Sequence, residues 1–253
     1  MPRSDENRDT MNRKQSYNKI YESDNFFGYR EGIYFPYIKA VLAAGRVAAG
    51  STVLDVGCGQ GFVANLLRKC GMKVTGIDIS DTGILSARRV YGRLGIEFLV
   101  GDINTIGFDR VFDCVFTRSL SLYNIDDFPT SRGITAKLMK YVKPGGTFIF
   151  TYNTNLKTSK HSYNWRYHTP MDAWQHFSVY RNARCFFTLK IDAAILGRYT
   201  FNWLCSRLNA TLSSALGVGG EIVCIIREGA TGRNLSSQMG TRSEQCLQGG
   251  VRG

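Results

Sequence analysis

Short apolar runs alternate with stretches of helical periodicity through the middle of the chain. The runs predict seven β-strands, at about 52–56, 74–78, 96–100, 111–116, 147–152, 184–191 and 221–227. Between them apolar residues recur every three to four positions, as at Phe62, Leu66 and Cys70, which predicts amphipathic helices. Strands that alternate with helices are typical of parallel βαβ units. We therefore expect an α/β fold with a mostly parallel sheet and helices on both faces.

The two ends of the chain do not share this pattern. Residues 1–16 are polar and charged without periodicity, and residues 229–253 are rich in Gly, Ser, Thr and Gln. Such a composition is typical of disorder, so we predict a disordered tail at each end. The rest divides into an aromatic, helical segment over 17–50 and a main domain over 51–228. A helical insertion over about 194–216 is expected between the last two strands.

Length and composition narrow the possible classes of protein. The chain has 253 residues, of which 43% are hydrophobic, so one globular α/β domain with short extensions is expected. No window of about 18 residues is uniformly apolar, because Lys39 and Arg46 interrupt the best candidate. The sequence therefore predicts no transmembrane helix and no membrane partner. No apolar run of the secretory type follows Met1.

The seven cysteines give no sign of a disulfide framework or a metal site. They include no Cys-x-x-Cys pair and do not cluster with the three histidines. Cys114 and Cys224 lie within apolar runs, where a free thiol acts as a small core side chain. We therefore predict free thiols, no metal, and a reducing, cytoplasmic location.

Positive charge is concentrated in one part of the chain. The formal net charge is +12, and residues 156–220 hold eight Lys or Arg against two acids. Such a surface attracts anions, and RNA is one candidate partner. A solvated basic surface without a partner is the alternative, and it is favoured because no basic run and no nucleic-acid module accompanies the charge.

The most informative stretch is VLDVGCGQG at 53–61, a predicted strand that leads through a Gly-x-Gly-x-Gly turn into a helix. Glycine allows left-handed backbone angles and the close approach of a ligand. Phe62 stands where a dinucleotide fingerprint has its third glycine, and no Gly-Lys-Ser/Thr follows, so a nicotinamide or ATP site is disfavoured. Asp55, two residues before Gly57, suits a ligand that carries an amino group and positive charge.

Acidic residues end the next two predicted strands. Asp78 ends the second, where an acid accepts the ribose hydroxyls in doubly wound nucleotide-binding folds. Asp102 ends the third, where a carboxylate meets an exocyclic amine. Ile79 and Ile103 follow the two acids, and we expect them to hold a purine between them. These features at these spacings are far more specific together than any one of them alone.

Five segments of the chain together resemble the class I S-adenosylmethionine-dependent methyltransferases. They are VLDVGCGQG (53–61), VTGIDIS (74–80), GD (101–102), FDCVFT (112–117) and VKPGG (142–146). The resemblance is close over about 51–152 and extends to 227 by strand count. It implies a Rossmann-like sheet of seven strands with strand seven antiparallel, and S-adenosyl-L-methionine as cofactor.

The resemblance also implies a role for each motif residue. Asp55 and the three glycines of the loop would hold the methionine part of the donor, Asp78 the ribose and Asp102 the adenine. Thr117 begins the loop after strand four and would line the donor and transfer site. The segment 17–50 would form a lid over the donor. The three glycines are Gly57, Gly59 and Gly61.

The methyl acceptor is less well defined by the sequence. A sulfonium methyl is already activated, so the main task is alignment, and a general base is needed chiefly for a hydroxyl acceptor. His168 and His161 are the candidates for that base. The loop after strand four lacks the Asp/Asn-Pro-Pro-Tyr motif of enzymes that methylate nucleic-acid bases at an amine. We therefore expect a small-molecule acceptor; an RNA methyltransferase and a non-catalytic donor-binding module are the alternatives.

Overall fold

The computed structural model describes residues 3–157, 161–162 and 165–229. The described residues form nine strands: β1 (Thr52–Val56), β2 (Lys73–Asp78), β3 (Glu97–Val100), β4 (Phe112–Arg118), β5 (Val142–Thr154), β6 (His161–Ser162), β7 (Trp165–Arg166), β8 (Ala183–Thr188) and β9 (Gly220–Arg227). β6 and β7 pair as a small separate hairpin. The other seven form one sheet in the order β3-β2-β1-β4-β5-β9-β8. The five strands from β3 to β5 are parallel, and β9 runs antiparallel to both neighbours.

Eight α-helices accompany the strands in the described part of the chain: α1 (Arg3–Ile20), α2 (Glu31–Gly45), α3 (Phe62–Lys69), α4 (Asp81–Tyr91), α5 (Arg132–Met139), α6 (Pro170–Phe177), α7 (Lys190–Leu196) and α8 (Trp203–Leu216). Helices α2, α3, α4 and α7 contribute buried apolar residues to one layer of core, and α5 and α6 contribute to the other. Successive strand residues alternate between these layers, as Val53 and Leu54 do. The predicted Rossmann-like fold with an antiparallel last strand is therefore confirmed.

The order of the strands positions a crevice at one edge of the sheet. The chain runs outward from β1 through β2 to β3 and then returns to place β4 on the other side of β1. Ligands of open α/β sheets bind at such a switch point, beyond the carboxyl ends of the strands. Asp55 and Arg118 lie at that end of β1 and β4, and Asp78 lies at the same end of β2.

The N-terminal segment differs from the prediction. Residues 3–16, expected to be disordered, belong to helix α1, which has no apolar face of its own. Polar contacts hold it on the carboxyl edge of the sheet: the Asn18 Oδ1 accepts the Ser80 hydroxyl at 2.6 Å, and the Lys14 Nζ lies 2.7 Å from an Asp81 carboxylate oxygen. Composition alone does not reveal such partners, because they are distant in sequence. The predicted tail over 229–253 lies outside the described residues from 230 onward.

One cysteine pair also differs from the prediction. Cys185 of β8 and Cys224 of β9 stand directly opposite each other in the antiparallel ladder and are joined in a disulfide. The prediction of a free thiol at Cys224 was therefore wrong, because the pairing of β8 with β9 joins positions 39 residues apart. Cys58, Cys70, Cys114 and Cys205 are free.

Candidate functional site

The loop between β1 and α3 depends on three glycines in the left-handed region of the backbone map. Gly57, Gly59 and Gly61 have φ values of +78°, +50° and +81°, which other residues rarely adopt. A Cβ at Gly61 would lie 2.9 Å from Ala87 and Phe98. The loop therefore packs tightly against α4 and β3 at Gly61, and the side chains of Leu120 and Tyr21 lie over Gly57 and Gly59.

Asp55 is buried at the end of β1 beside this loop. Among the described residues its Oδ2 has no hydrogen-bond partner. Burial, reinforced by the nearby negative charge of Asp78, raises the pKa of Asp55 from 3.8 to about 7. A buried carboxylate without a partner is costly in free energy, and a cationic ligand group at this place would lower that cost.

Asp78 connects the end of β2 to the glycine loop. Its Oδ2 accepts a hydrogen bond from the Gly59 N–H at 2.8 Å, and its Oδ1 accepts one from the Ser80 N–H at 2.9 Å. Burial raises the pKa of Asp78, although these backbone hydrogen bonds oppose that shift. A carboxylate can accept further hydrogen bonds beyond these two, and Asp78 lines a cavity beside the loop.

A small cavity of about 60 Å³ brings together the residues predicted to bind a nucleoside. Its lining includes Gly57, Asp78, Ile79, Asp102 and Ile103. These residues were expected to lie close together because their strands end at the same edge of the sheet, and they do so. Helix α1 covers Asp102: the Thr10 hydroxyl donates to its Oδ2 at 3.2 Å, and an Arg13 nitrogen lies 3.8 Å from the same oxygen.

A larger cavity of about 440 Å³ lies on the other side of the loop. Asp55, Gly57 and Gly59 line it, together with Arg118 and aromatic rings of residues 21–29. Tyr21 lines both cavities and so lies between them. Thr117 lies next to Arg118 but lines neither cavity; its side chain is buried, and among the described residues its hydroxyl has no partner.

Arg118 is the centre of a buried polar cluster that the sequence did not reveal. Its guanidinium donates to the hydroxyls of Tyr29 and Tyr34 at 2.9 and 3.2 Å and to the Glu221 carboxylate at 2.8 Å. The Lys190 Nζ also lies 2.9 Å from the same carboxylate oxygen. Arg118 directly follows Thr117 in the FDCVFT segment, but its partners come from three other parts of the chain, so no sequence spacing indicates the cluster.

His168, one of the two predicted general bases, is not brought to these cavities. His168 is buried, stacks on Phe128 with ring centroids 4.3 Å apart, and its Nε2 lies 2.8 Å from the Tyr123 carbonyl oxygen. Burial lowers its pKa, and it lines neither cavity. Such a placement is typical of a core side chain, not of a general base. The His161 side chain lies outside the part of the chain whose side chains are described.

The described residues contain no group of three or more His, Cys, Asp or Glu that could hold a metal ion. Among the helices described, none is long and apolar enough to cross a membrane.

Comparison with known proteins gives consistent matches. The model of a family described as "Methyltransferase domain" matches residues 48–190. The chain is 30% identical over 141 residues to the S-adenosyl-L-methionine-dependent Diels-Alderase iliD of Neonectria sp. (strain DH2). The matched region covers 55% of this chain and 54% of that protein. It is 32% identical over 112 residues to a fatty-acid O-methyltransferase of Mycolicibacterium smegmatis, covering 43% of this chain and 39% of that protein.

Among solved structures, the fold is similar to that of the DhpI–S-adenosylhomocysteine complex. The TM-score is 0.54 at 18% identity, with 88% of this chain and 98% of that chain covered. The chain spans about half or less of the length of the two curated relatives.

Proposed function

Because the chain belongs to the class I S-adenosylmethionine-dependent methyltransferase family, we propose that it transfers a methyl group to an oxygen or nitrogen of a small-molecule acceptor. The larger cavity carries this proposal. It joins the Asp55 end of the donor loop to Arg118 beneath a cover of aromatic residues. Its volume of about 440 Å³ lies within the range of small-ligand pockets.

Residues of the glycine loop fit the methionine end of S-adenosyl-L-methionine. We assign to Asp55 the role of binding the donor ammonium, because its buried Oδ2 lacks a partner and its pKa is raised to about 7. Gly57, Gly59 and Gly61 give the adjoining loop the left-handed backbone that shapes this end of the site. Thr117 lines neither cavity, so we assign it no contact with the donor.

We assign the smaller cavity to the adenosine end of the donor on the residues that line it. Asp78 would accept the ribose hydroxyls with its remaining lone pairs, and Asp102 would accept the adenine amine between Ile79 and Ile103. The shared lining of one cavity by these four residues supports the assignment. Thr10 and Arg13 bind Asp102 in this structure, so the assignment requires adenine to displace the Thr10 hydroxyl or share the carboxylate with it.

When bound, S-adenosyl-L-methionine supplies a methyl group already activated by its sulfonium. The protein then has to align the acceptor and exclude water. Tyr21 and Tyr29 line the cavity and would exclude water around the bound acceptor, and Arg118 provides a positive charge at the cavity wall. The histidines whose side chains the structure describes are His168 and His176. Both are buried and neither lines this cavity, so the mechanism we propose uses neither of them.

The relatives support a small-molecule acceptor. The Mycolicibacterium protein is named for methylation of fatty acids at oxygen. RNA remains the alternative acceptor through the basic stretch 156–220. A non-catalytic donor-binding module is the second alternative.

The test is to incubate the purified protein with methyl-labelled donor and a cell extract, then count label in small-molecule, protein and RNA fractions. Asp55→Asn is the control, because it keeps the shape of the side chain and removes the charge. Gly57→Val is unsuitable, since a Cβ there would lie 2.7 Å from Leu120. We expect Asp55-dependent label in small molecules. Label in RNA contradicts that acceptor, and donor binding without label in any fraction contradicts methyl transfer.

A further inference from the structure

Helix α8 turns its apolar face to solvent and its polar face to the protein. Its buried face consists of small and polar residues, among them Asn209 and Ser213. Its exposed face carries a ridge of leucines at four-residue spacing: Leu204, Leu208, Leu212 and Leu216. Surface helices normally turn the apolar stripe to the core and the polar face to solvent. The ridge therefore lacks a cover among the described residues.

Aromatic side chains lie beside the ridge. Trp203 and Tyr199 are 69% and 70% exposed at the start of α8 and in the turn before it. An exposed apolar surface of this extent marks a contact site for a partner or a lipid surface. Trp and Tyr are the residues enriched where a protein meets the interface of a membrane.

The charge around the leucine ridge indicates which kind of partner could cover it. Between residues 193 and 220 there is no Asp or Glu, while Arg198 and Arg207 lie beside Tyr199 and Trp203 and contact their rings. A second copy of this face would bring like charges together without an acid to neutralise them. Residues 230–253 hold three Arg and one Glu among glycines and polar residues, so they complement neither the charge nor the leucines.

We propose that the exposed face of α8, with the turn before it, binds an anionic lipid surface. The leucines would enter the boundary between headgroups and acyl chains, as in helices that lie in the plane of a membrane. Arg198 and Arg207 would contact anionic headgroups, each basic residue adding to the attraction. This proposal departs from the sequence-based expectation of no membrane partner, which rested on the lack of a spanning helix; among the described residues there is none, but a helix that lies on the surface needs none. The inference does not depend on the proposed function.

The test is co-sedimentation of the full chain with vesicles of phosphatidylcholine, with and without phosphatidylglycerol. We expect binding to the anionic vesicles that weakens as salt is raised. Leu204→Ser/Leu208→Ser should reduce the fraction bound roughly ten-fold or more. The matched control is Leu85→Ser/Leu94→Ser: these leucines are 70% and 44% exposed, and α4 packs on β3 at the opposite end of the sheet. This control should bind like the wild type.

Tryptophan fluorescence gives a second readout that does not depend on sedimentation. Addition of anionic vesicles should shift the emission of the wild type to the blue. Trp203→Phe should remove the shift, whereas Trp174→Phe, at an exposed residue of α6, should retain it. Equal loss of binding in both leucine variants would overturn the proposal. The proposal would also be overturned if the wild type did not bind the vesicles but formed a dimer that Leu204→Ser/Leu208→Ser dissociates.

Discussion

Tyr21 lies directly over Gly59 of the donor loop. A Cβ at position 59 would be 2.5 Å from the Tyr21 hydroxyl oxygen and 2.8 Å from the ring carbon that bears it. Gly59 also has φ of +50°, so two separate constraints require glycine there: the backbone conformation and the ring above it. Tyr21 thereby separates the two cavities that we assign to the adenosine and methionine ends of the donor.

The first prediction separates these two constraints. Gly59→Ala should lower the free energy of unfolding by about 2 kcal/mol, of which about 1 kcal/mol is the cost of the left-handed backbone. Gly28→Ala is the matched control, since Gly28 has φ of +60° but no atom near its Cβ position. When Tyr21 is also replaced by Ala, the free energy of unfolding lost on Gly59→Ala should fall to the loss seen for Gly28→Ala. Chemical denaturation measures all four variants; equal costs at the two glycines would contradict the contact.

The second prediction concerns pH and Asp55. Its pKa is raised to about 7 in the free protein, and a bound ammonium would keep it ionised. Donor binding should therefore release a proton, and affinity should fall as pH decreases below about 7, because the protonated carboxyl no longer attracts the ligand. Calorimetric titration between about pH 5.5 and 7 stays below the range in which the donor's own amino group titrates.

Asp55→Asn provides the control for that titration. It should weaken donor binding by roughly ten-fold or more and remove the pH dependence. The stability of the free protein depends on pH in the opposite direction to donor affinity. A carboxyl whose pKa is raised by folding makes the protein less stable as pH rises from about 4 to 7. Asp55→Asn should therefore flatten that part of the stability profile. A variant that keeps the wild-type pH dependence of binding would exclude Asp55 as its source.

The contrast between Asp55 and Arg118 shows how far the sequence determines the site. Asp55, Gly57 and Asp78 act within short motifs whose backbone geometry follows from local spacing, so their proximity at the strand ends was predictable. The cluster around Arg118 depends on Tyr29, Glu221 and Lys190, which only the tertiary fold brings together. Local patterns carry no signal for such contacts.

The same distinction applies to the fold. The βαβ core was predicted because each strand and helix carries its own periodicity. Helix α1 was not, since its contacts with the rest of the chain, such as that of Asn18 with Ser80, join residues distant in sequence. The Cys185–Cys224 pair was missed for the same reason, as it depends on the register of β8 against β9. Tertiary contacts outweighed local composition in both cases.

The third prediction concerns His168, which we now expect to be structural. His168→Ala removes a buried ring stacked on Phe128 and a hydrogen bond to the Tyr123 carbonyl. It should lower the free energy of unfolding by about 2–4 kcal/mol. The rate per folded molecule should stay close to that of the wild type, whereas loss of a general base would cost roughly 10²-fold or more.

Two measurements decide the role of His168. Denaturant unfolding gives its contribution to stability, and single-turnover rates with a hydroxyl acceptor, corrected for the folded fraction, give its contribution to chemistry. His168→Gln is the companion variant, because it keeps an N–H donor for Tyr123 and should recover part of the stability. A fully folded His168→Gln protein with a hundred-fold lower rate would restore the general-base hypothesis.

The fourth prediction concerns the buried ion pair between Arg118 and Glu221. Burial raises the pKa of Glu221, but Arg118 and Lys190 outweigh that effect, so its pKa lies below the ordinary value. Glu221→Gln would leave the buried Arg118 and the partly exposed Lys190 without a counter-charge and should destabilise the protein by about 3 kcal/mol or more. Glu31→Gln, in the exposed pair with Lys69, should cost less than about 1 kcal/mol. Urea denaturation compares the two, and similar costs would mean that the buried cluster contributes no more than a surface ion pair.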